Sequence, residues 1–122
     1  MRDFRKLRVW QVAHELCKAC YRATSRFPTG ERYGLALQIR KSSASIPANI
    51  AEGCGRQTPA DLRRFLTMAA GSASELQYHL LLARDLDLLG VQEYEALLAQ
   101  AHDAKRMLWG LIRRVSGSTA IG

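Results

Sequence analysis

At 122 residues, 48% of them apolar, the chain is long enough for one hydrophobic core, and one domain is expected. Lys and Arg number 18 against 11 Asp and Glu, and the resulting formal charge of +7 comes mostly from arginine, whose planar guanidinium suits phosphate and carboxylate partners. No stretch approaches the roughly 20 apolar residues of a spanning helix, and Gln11, His14, Glu15 and Lys18 break any signal core, so a cytoplasmic protein without membrane contact is expected. Its three cysteines suit reduced thiols better than a disulfide framework.

Leu7, Trp10, Ala13, Leu16, Cys17, Cys20 and Tyr21 recur at three- and four-residue intervals and predict a first helix over 7–24. Phe27-Pro28-Thr29-Gly30 reads as a turn that places Phe27 in the core. Thr29 as cap and Glu31 in the first turn predict a second helix over 31–52, built on Leu35, Leu37, Ile39, Ile46, Ile50 and Ala51 and stopped by Gly53-Cys54-Gly55. Pro47 inside it predicts a kink, with Ser42, Ser43 and Ser45 placed to satisfy the carbonyl that proline frees; two shorter helices are the alternative. Thr58-Pro59-Ala60-Asp61 is a helix start with a capping hydroxyl and proline at the first position. The third helix is expected over 59–89 on Leu62, Phe65, Leu66, Ala69, Leu76, Leu80 and Ala83, ended by a left-handed Gly90. Its small-residue run, Ala69 to Ser74, suits close approach of another helix or is a weak surface stretch. The fourth helix follows over 92–115 on Tyr94, Leu97, Leu98, Ala101, Leu108, Leu111, Ile112 and Val115, with a frayed tail beyond. Long helices with short connections predict an all-α, up-down-up-down four-helix bundle.

The catalytic and metal-binding patterns fail for physical reasons. Cys17-Lys18-Ala19-Cys20, with His14 a turn earlier, has the spacing of a metal or redox pair but lacks both a second ligand pair and the preceding strand of a redox motif. His79 and His102 have no carboxylate at bundle-metal spacing. Ser42, Ser43 and Ser45 beside Lys41 have no strand-to-helix elbow, and Gly53-Cys54-Gly55-Arg56 lacks the Lys-Ser/Thr ending of a phosphate loop. No enzyme activity, metal or cofactor is expected. Two constellations remain. Gln38, Asn49, Glu52 and Glu75 are polar groups on otherwise apolar helices, expected as buried polar or subunit contacts or as solvated positions; Glu52 there could meet Arg40 or Arg64. The cationic clusters Arg2, Arg5, Lys6 and Arg8; Arg40 and Lys41; Arg56, Arg63 and Arg64; and Lys105, Arg106, Arg113 and Arg114 either solvate helix faces or attract phosphate backbones.

Phe4-Arg5-Lys6-Leu7-Arg8-Val9-Trp10, Phe27-Pro28, the run from Ile39 through Ser45-Ile46-Pro47-Ala48-Asn49-Ile50-Ala51-Glu52-Gly53, and Gly71-Ser72-Ala73-Ser74-Glu75-Leu76 together resemble the four-helix-bundle family named for proteins encoded in intervening sequences of 23S ribosomal RNA genes. The likeness spans nearly the whole chain and departs at Cys54, where the family more often carries an aromatic residue. It implies a protomer that assembles into a ring-shaped homo-oligomer, a homopentamer. It also brings in related accessory proteins of diversity-generating retroelements, which bind a reverse transcriptase and nucleic acid. It carries no catalytic residues, and the family name records gene location rather than a role. The leading expectation is a non-enzymatic oligomer that binds RNA or DNA through Arg5, Lys6, Arg8, Arg40, Lys41, Arg56, Arg63, Arg64, Arg113 and Arg114. The alternative is a protein-binding scaffold or reverse-transcriptase accessory subunit whose basic faces meet an acidic partner.

Overall fold

The computed structural model describes residues 3–31 and 34–121, with side chains as far as Ser116. Its helices are α1 (Arg8–Thr24), α2 (Leu35–Cys54), α3 (Pro59–Asp85) and α4 (Val91–Ile121), with single 3-10 turns at Phe4–Lys6 and Thr29–Glu31. No strand occurs among the described residues. Each helix packs against two others in the cycle α1, α2, α3, α4 and back to α1. Contacts between helices fix their directions. Arg40 Nε of α2 donates to Thr24 Oγ1 at the end of α1 (2.8 Å), and Arg26, just beyond α1, pairs with Glu93 in the first turn of α4. Ser45 meets Ser72 midway along α2 and α3 (2.8 Å), and Gln77 of α3 meets His102 of α4 (3.0 Å). All neighbours are therefore antiparallel, giving an up-down-up-down bundle.

The core is aliphatic and continuous. Leu16, Ile39, Ile46, Ile50, Leu66, Leu76, Leu80 and Leu108 are fully buried, and Phe27 closes the cluster from the α1–α2 turn. On α1 the buried stripe is Val9, Ala13, Leu16, Cys20 and Ala23, rotated from the expected one. Tyr21 is exposed there, beneath the Arg40 guanidinium at 4.9 Å, and Leu37 of α2 likewise faces outward. Trp10 is half-buried, held edge-on by Phe4 (5.0 Å) and stacked on His14 (4.7 Å). Apolar residues at helical spacing thus include some that stand at the edge of the stripe.

Helix ends differ from expectation for identifiable reasons. α2 begins at Leu35 rather than Glu31, because residues around Thr29 close a 3-10 turn first; the Glu31 carboxylate then accepts from the Leu35 amide (3.2 Å), capping the helix from four residues upstream. Arg32 and Tyr33 lie outside the described residues. α2 passes through Pro47 as one helix, not two. The Ser42 and Ser43 hydroxyls donate to the Gln38 (2.9 Å) and Arg40 (3.2 Å) carbonyls of the preceding turn, and Ser45 takes Asn49 and Ser72, so they are not spent on the carbonyl that Pro47 frees. α3 starts as expected, the Thr58 hydroxyl accepting from the Asp61 amide (3.1 Å) ahead of Pro59. It ends at Asp85 rather than Leu89. The left-handed residue is Asp87, at φ 61°, not Gly90, and paired bonds from the Asp87 amide to Arg84 O (2.9 Å) and the Leu88 amide to Ala83 O (2.8 Å) close the helix. α4 continues to Ile121, past the expected end at 115.

The α2–α3 contact is tightest at Gly53, where an added Cβ would lie 3.0 Å from Phe65 Cβ and 3.1 Å from Leu62 Cδ1. Gly53→Ala is expected to lower unfolding free energy by about 1–3 kcal/mol through overpacking. Asp87→Gly is expected to raise it by about 1 kcal/mol, by removing a left-handed side chain and an acid at a helix C-terminus. Urea titrations of the two variants check both signs.

Candidate nucleic-acid interface

Antiparallel packing brings the start of α1, the end of α2, the start of α3 and the second half of α4 to one end of the bundle. Arg5, Lys6, Arg8, Arg56, Arg63, Arg64, Arg106, Arg113 and Arg114 lie in that half, with Asp3, Glu52, Asp61 and, one turn before Arg106, Asp103 as its acids. Those acids are already engaged: Asp3 with Arg5 (3.1 Å), Glu52 with Arg56 (3.3 Å), Asp61 with Arg64 (3.5 Å) and Asp103 with Arg106 (3.5 Å). Hydrogen bonds from the Arg5 side chain and amide hold the Asp3 carboxyl below its ordinary range. Lys6, Arg8, Arg63, Arg113 and Arg114 have no ion pair among the described residues. Among the described residues the opposite half is close to balance, with Glu31, Glu75, Asp85, Asp87, Glu93 and Glu95 set against Lys18, Arg22, Arg26, Arg40, Lys41 and Arg84. The positive excess of the described residues is therefore local to one end.

Two clefts open in the basic half. One, of about 410 Å³, lies between the α2–α3 turn and α4, with Arg56 and Arg114 at its rim and Cys54, Leu62, Leu111 and Val115 below. The other, of about 310 Å³, runs between the start of α1 and α4, bordered by Arg8, Arg106, Arg113 and Arg114 and passing Gly110. Some of the cations are held by rings: Arg56 and Arg64 lie over the Phe65 ring at 4.7 and 4.6 Å, which orients both guanidinium groups at the α3 start.

Of the expected phosphate contacts, Arg5, Lys6, Arg8, Arg56, Arg63, Arg64, Arg113 and Arg114 share this end, whereas Arg40 and Lys41 sit in the other half of α2. Arg40 is spent internally, donating to Thr24 Oγ1 and to the Tyr21 carbonyl (3.3 Å). Arg2 is outside the described residues. Gln38, Glu52 and Glu75 are exposed in the protomer, and Glu52 pairs with Arg56 rather than with Arg40 or Arg64. Asn49 is half-buried and donates to the Ser45 carbonyl (2.8 Å) and hydroxyl (3.0 Å). Arg106, a member of one cationic cluster in the sequence but not among the expected contacts, and Trp109, which the sequence reading does not single out, recur with Arg113 at three and four residues, on one helix face. Trp109 is 40% exposed.

The remaining reactive groups are quiet. Cys17 and Cys20 are free thiols. His14 is stacked against Trp10, and no group of three metal-ligating side chains occurs among the described residues. Ser42 Oγ lies 3.2 Å from His79 Nδ1, a pairing that sequence spacing does not reveal, but the hydroxyl is buried and donates to its own helix. His102 meets Gln77.

A model of the 23S rRNA-intervening sequence protein family matches residues 5–110. No curated protein matches the chain. Among solved structures, similarity extends to a crystal structure of a protein of unknown function from the S23 ribosomal protein family of Bacteroides thetaiotaomicron. The two are 24% identical over 85% of this chain and 97% of the other, with a TM-score of 0.77. That likeness concerns the fold.

Burial pushes the Cys17 thiol up and carries the Cys20 thiol from 9.0 to about 12. Folding thus favours the protonated Cys20, and its contribution to stability is complete below pH 9.0 and lost as pH rises toward 12. Relative to Cys20→Ala, the wild-type protein is expected to lose stability across that alkaline window, at up to about 1.4 kcal/mol per pH unit. Urea midpoints measured at stepped pH check this, and equal slopes for the two proteins contradict it.

Proposed function

The chain belongs to the 23S rRNA-intervening sequence protein family, and from that premise we propose that it is a non-enzymatic oligomeric protein that binds RNA or DNA through the basic end of its bundle. The observation that carries this reading is the segregation of charge. Lys6, Arg8, Arg63, Arg113 and Arg114, unpaired among the described residues, gather where the acids are already neutralised, leaving an open cationic surface. Such a surface attracts phosphate backbones without regard to sequence. No helix among the described residues is long and apolar enough to cross a membrane.

Self-assembly into a homopentameric ring is part of the proposal. It is supported by the outer stripe of α3, where Met68, Gly71, Glu75 and Tyr78 follow one another at helical spacing. Met68 is 46% and Tyr78 59% exposed, and an added Cβ at Gly71 meets nothing within 4 Å, so the protomer itself has no need of glycine there. Between subunits a glycine permits close approach. The opposed reading, a scaffold or reverse-transcriptase accessory subunit that meets an acidic protein, draws on the same arginines and differs in predicting no uptake of nucleic acid.

Two measurements test these statements. In fluorescence anisotropy with labelled duplex DNA, log affinity is expected to fall with log salt at about 0.9 per contacted phosphate. Arg113→Glu with Arg114→Glu should weaken binding at least about tenfold and flatten the slope by about 2, while Arg22→Glu at the far end leaves it unchanged. Salt-insensitive or absent binding rejects the reading in favour of a protein partner. By light scattering, Gly71→Ala is expected to lower the assembled mass; an unchanged mass moves the seam away from α3.

A further inference from the structure

Among the described residues Trp109 is the large aromatic residue left exposed within the basic half; Tyr78 lies in the second half of α3, toward the other end, and Tyr21 sits beneath Arg40. At 100° per residue, the outer circumference of α4 presents Trp109, then Arg113 and Arg106, then Gly110, Asp103 and Arg114 toward α1; the Asp103 carboxylate meets Arg106 at 3.5 Å in an exposed pair that a phosphate can replace. An indole is thus followed by two guanidinium groups and then by the groove of about 310 Å³ that Arg8 closes from the other side. Gly110 is the second observation. A glycine inside a helix costs about 1 kcal/mol relative to alanine. Here the fold has no use for it, since an added Cβ would meet only the far end of the Arg114 side chain, at 3.8 Å. What glycine provides at that position is depth in the groove.

Resting on the reading that the basic end binds nucleic acid, we propose that this face selects single strands, one unpaired base stacking on Trp109 while its flanking phosphates lie on Arg106 and Arg113. The strand's backbone continues across Gly110 toward Arg8 and Arg114. The argument is chemical. Cations alone favour the duplex, whose phosphates are more densely spaced, but an exposed indole gains stacking only from a base whose face is uncovered, and every base has such a face once it leaves the duplex. Selection is for unpaired nucleotides and not for a sequence.

The experiment compares a labelled oligouridine of about 12 nucleotides with an RNA duplex of about the same length, by anisotropy at fixed salt, for the full chain. The wild-type protein is expected to prefer the single strand. Trp109→Ala should weaken that binding about 5- to 100-fold and leave the duplex within about twofold. Gly110→Ala should melt at a higher temperature than wild type and still bind oligouridine more weakly, which separates groove filling from misfolding. Salt-dependent binding of both probes with Trp109→Ala indistinguishable from wild type overturns the inference and leaves the phosphate reading standing. So does Gly110→Ala binding oligouridine as wild type does. If Trp109→Ala instead breaks the oligomer without changing affinity, this face is a subunit seam and the inference falls. If neither probe binds, both readings fall together.

Discussion

Gly55, Arg56, Gln57 and Thr58 are all that separates α2 from α3, and that brevity governs the molecule. A connection so short leaves the following helix no choice but to run back beside its predecessor, and the five residues between α3 and α4 act in the same way. Antiparallel return then decides which distant parts of the chain become neighbours. Arg8 and Arg113 stand more than a hundred positions apart in the sequence and border one groove. The cationic end is a product of this connectivity, since no single helix carries a basic face along its whole length.

The α2–α3 joint shows how a motif-like run can be explained by packing. From Ser42 to Gly53, Ile46, Pro47 and Ile50 face the core, Gly53 admits Phe65, and Ser45 bridges to Ser72 while taking the Asn49 amide. Ser42 reaches His79. Every buried side-chain nitrogen or oxygen among the described residues has a partner, so the polar groups of this run are internally satisfied. A stretch rich in hydroxyls, which in another fold would invite a search for a nucleophile, is here the means by which two helices lie close together while still bonding across their contact.

The bundle was legible in the sequence because periodicity and turn chemistry agree: Thr58-Pro59 marks a helix start and Leu62 to Ala83 a core face, and the structure has both. Boundaries were less so. Gly90 offered the obvious left-handed residue, but the α3 cap forms at Asp87, where Leu88 and Leu89 can turn back onto Ala83. Glu31 acts at a distance through its carboxylate, which helix propensity does not encode. Of the candidate site, the cations could be named but not sorted. Arg40 and Arg113 look alike in sequence, and only the fold shows one bound to Thr24 and the other facing solvent. Trp109 was overlooked because an aromatic residue among leucines suggests core; its exposure depends on which face of α4 meets α1 and α3.

Two helix N-termini and two C-termini meet at each end of the bundle, so the backbone macrodipoles cancel and side chains alone set the polarity. The protomer is consequently an electric dipole along its long axis. In the field of any polyanion it experiences a torque as well as an attraction, and within roughly a Debye length, about 8 Å at physiological salt, it is turned cationic end first before contact. Orientation during the encounter is thus supplied by the arrangement of charge, without a shaped partner to guide it.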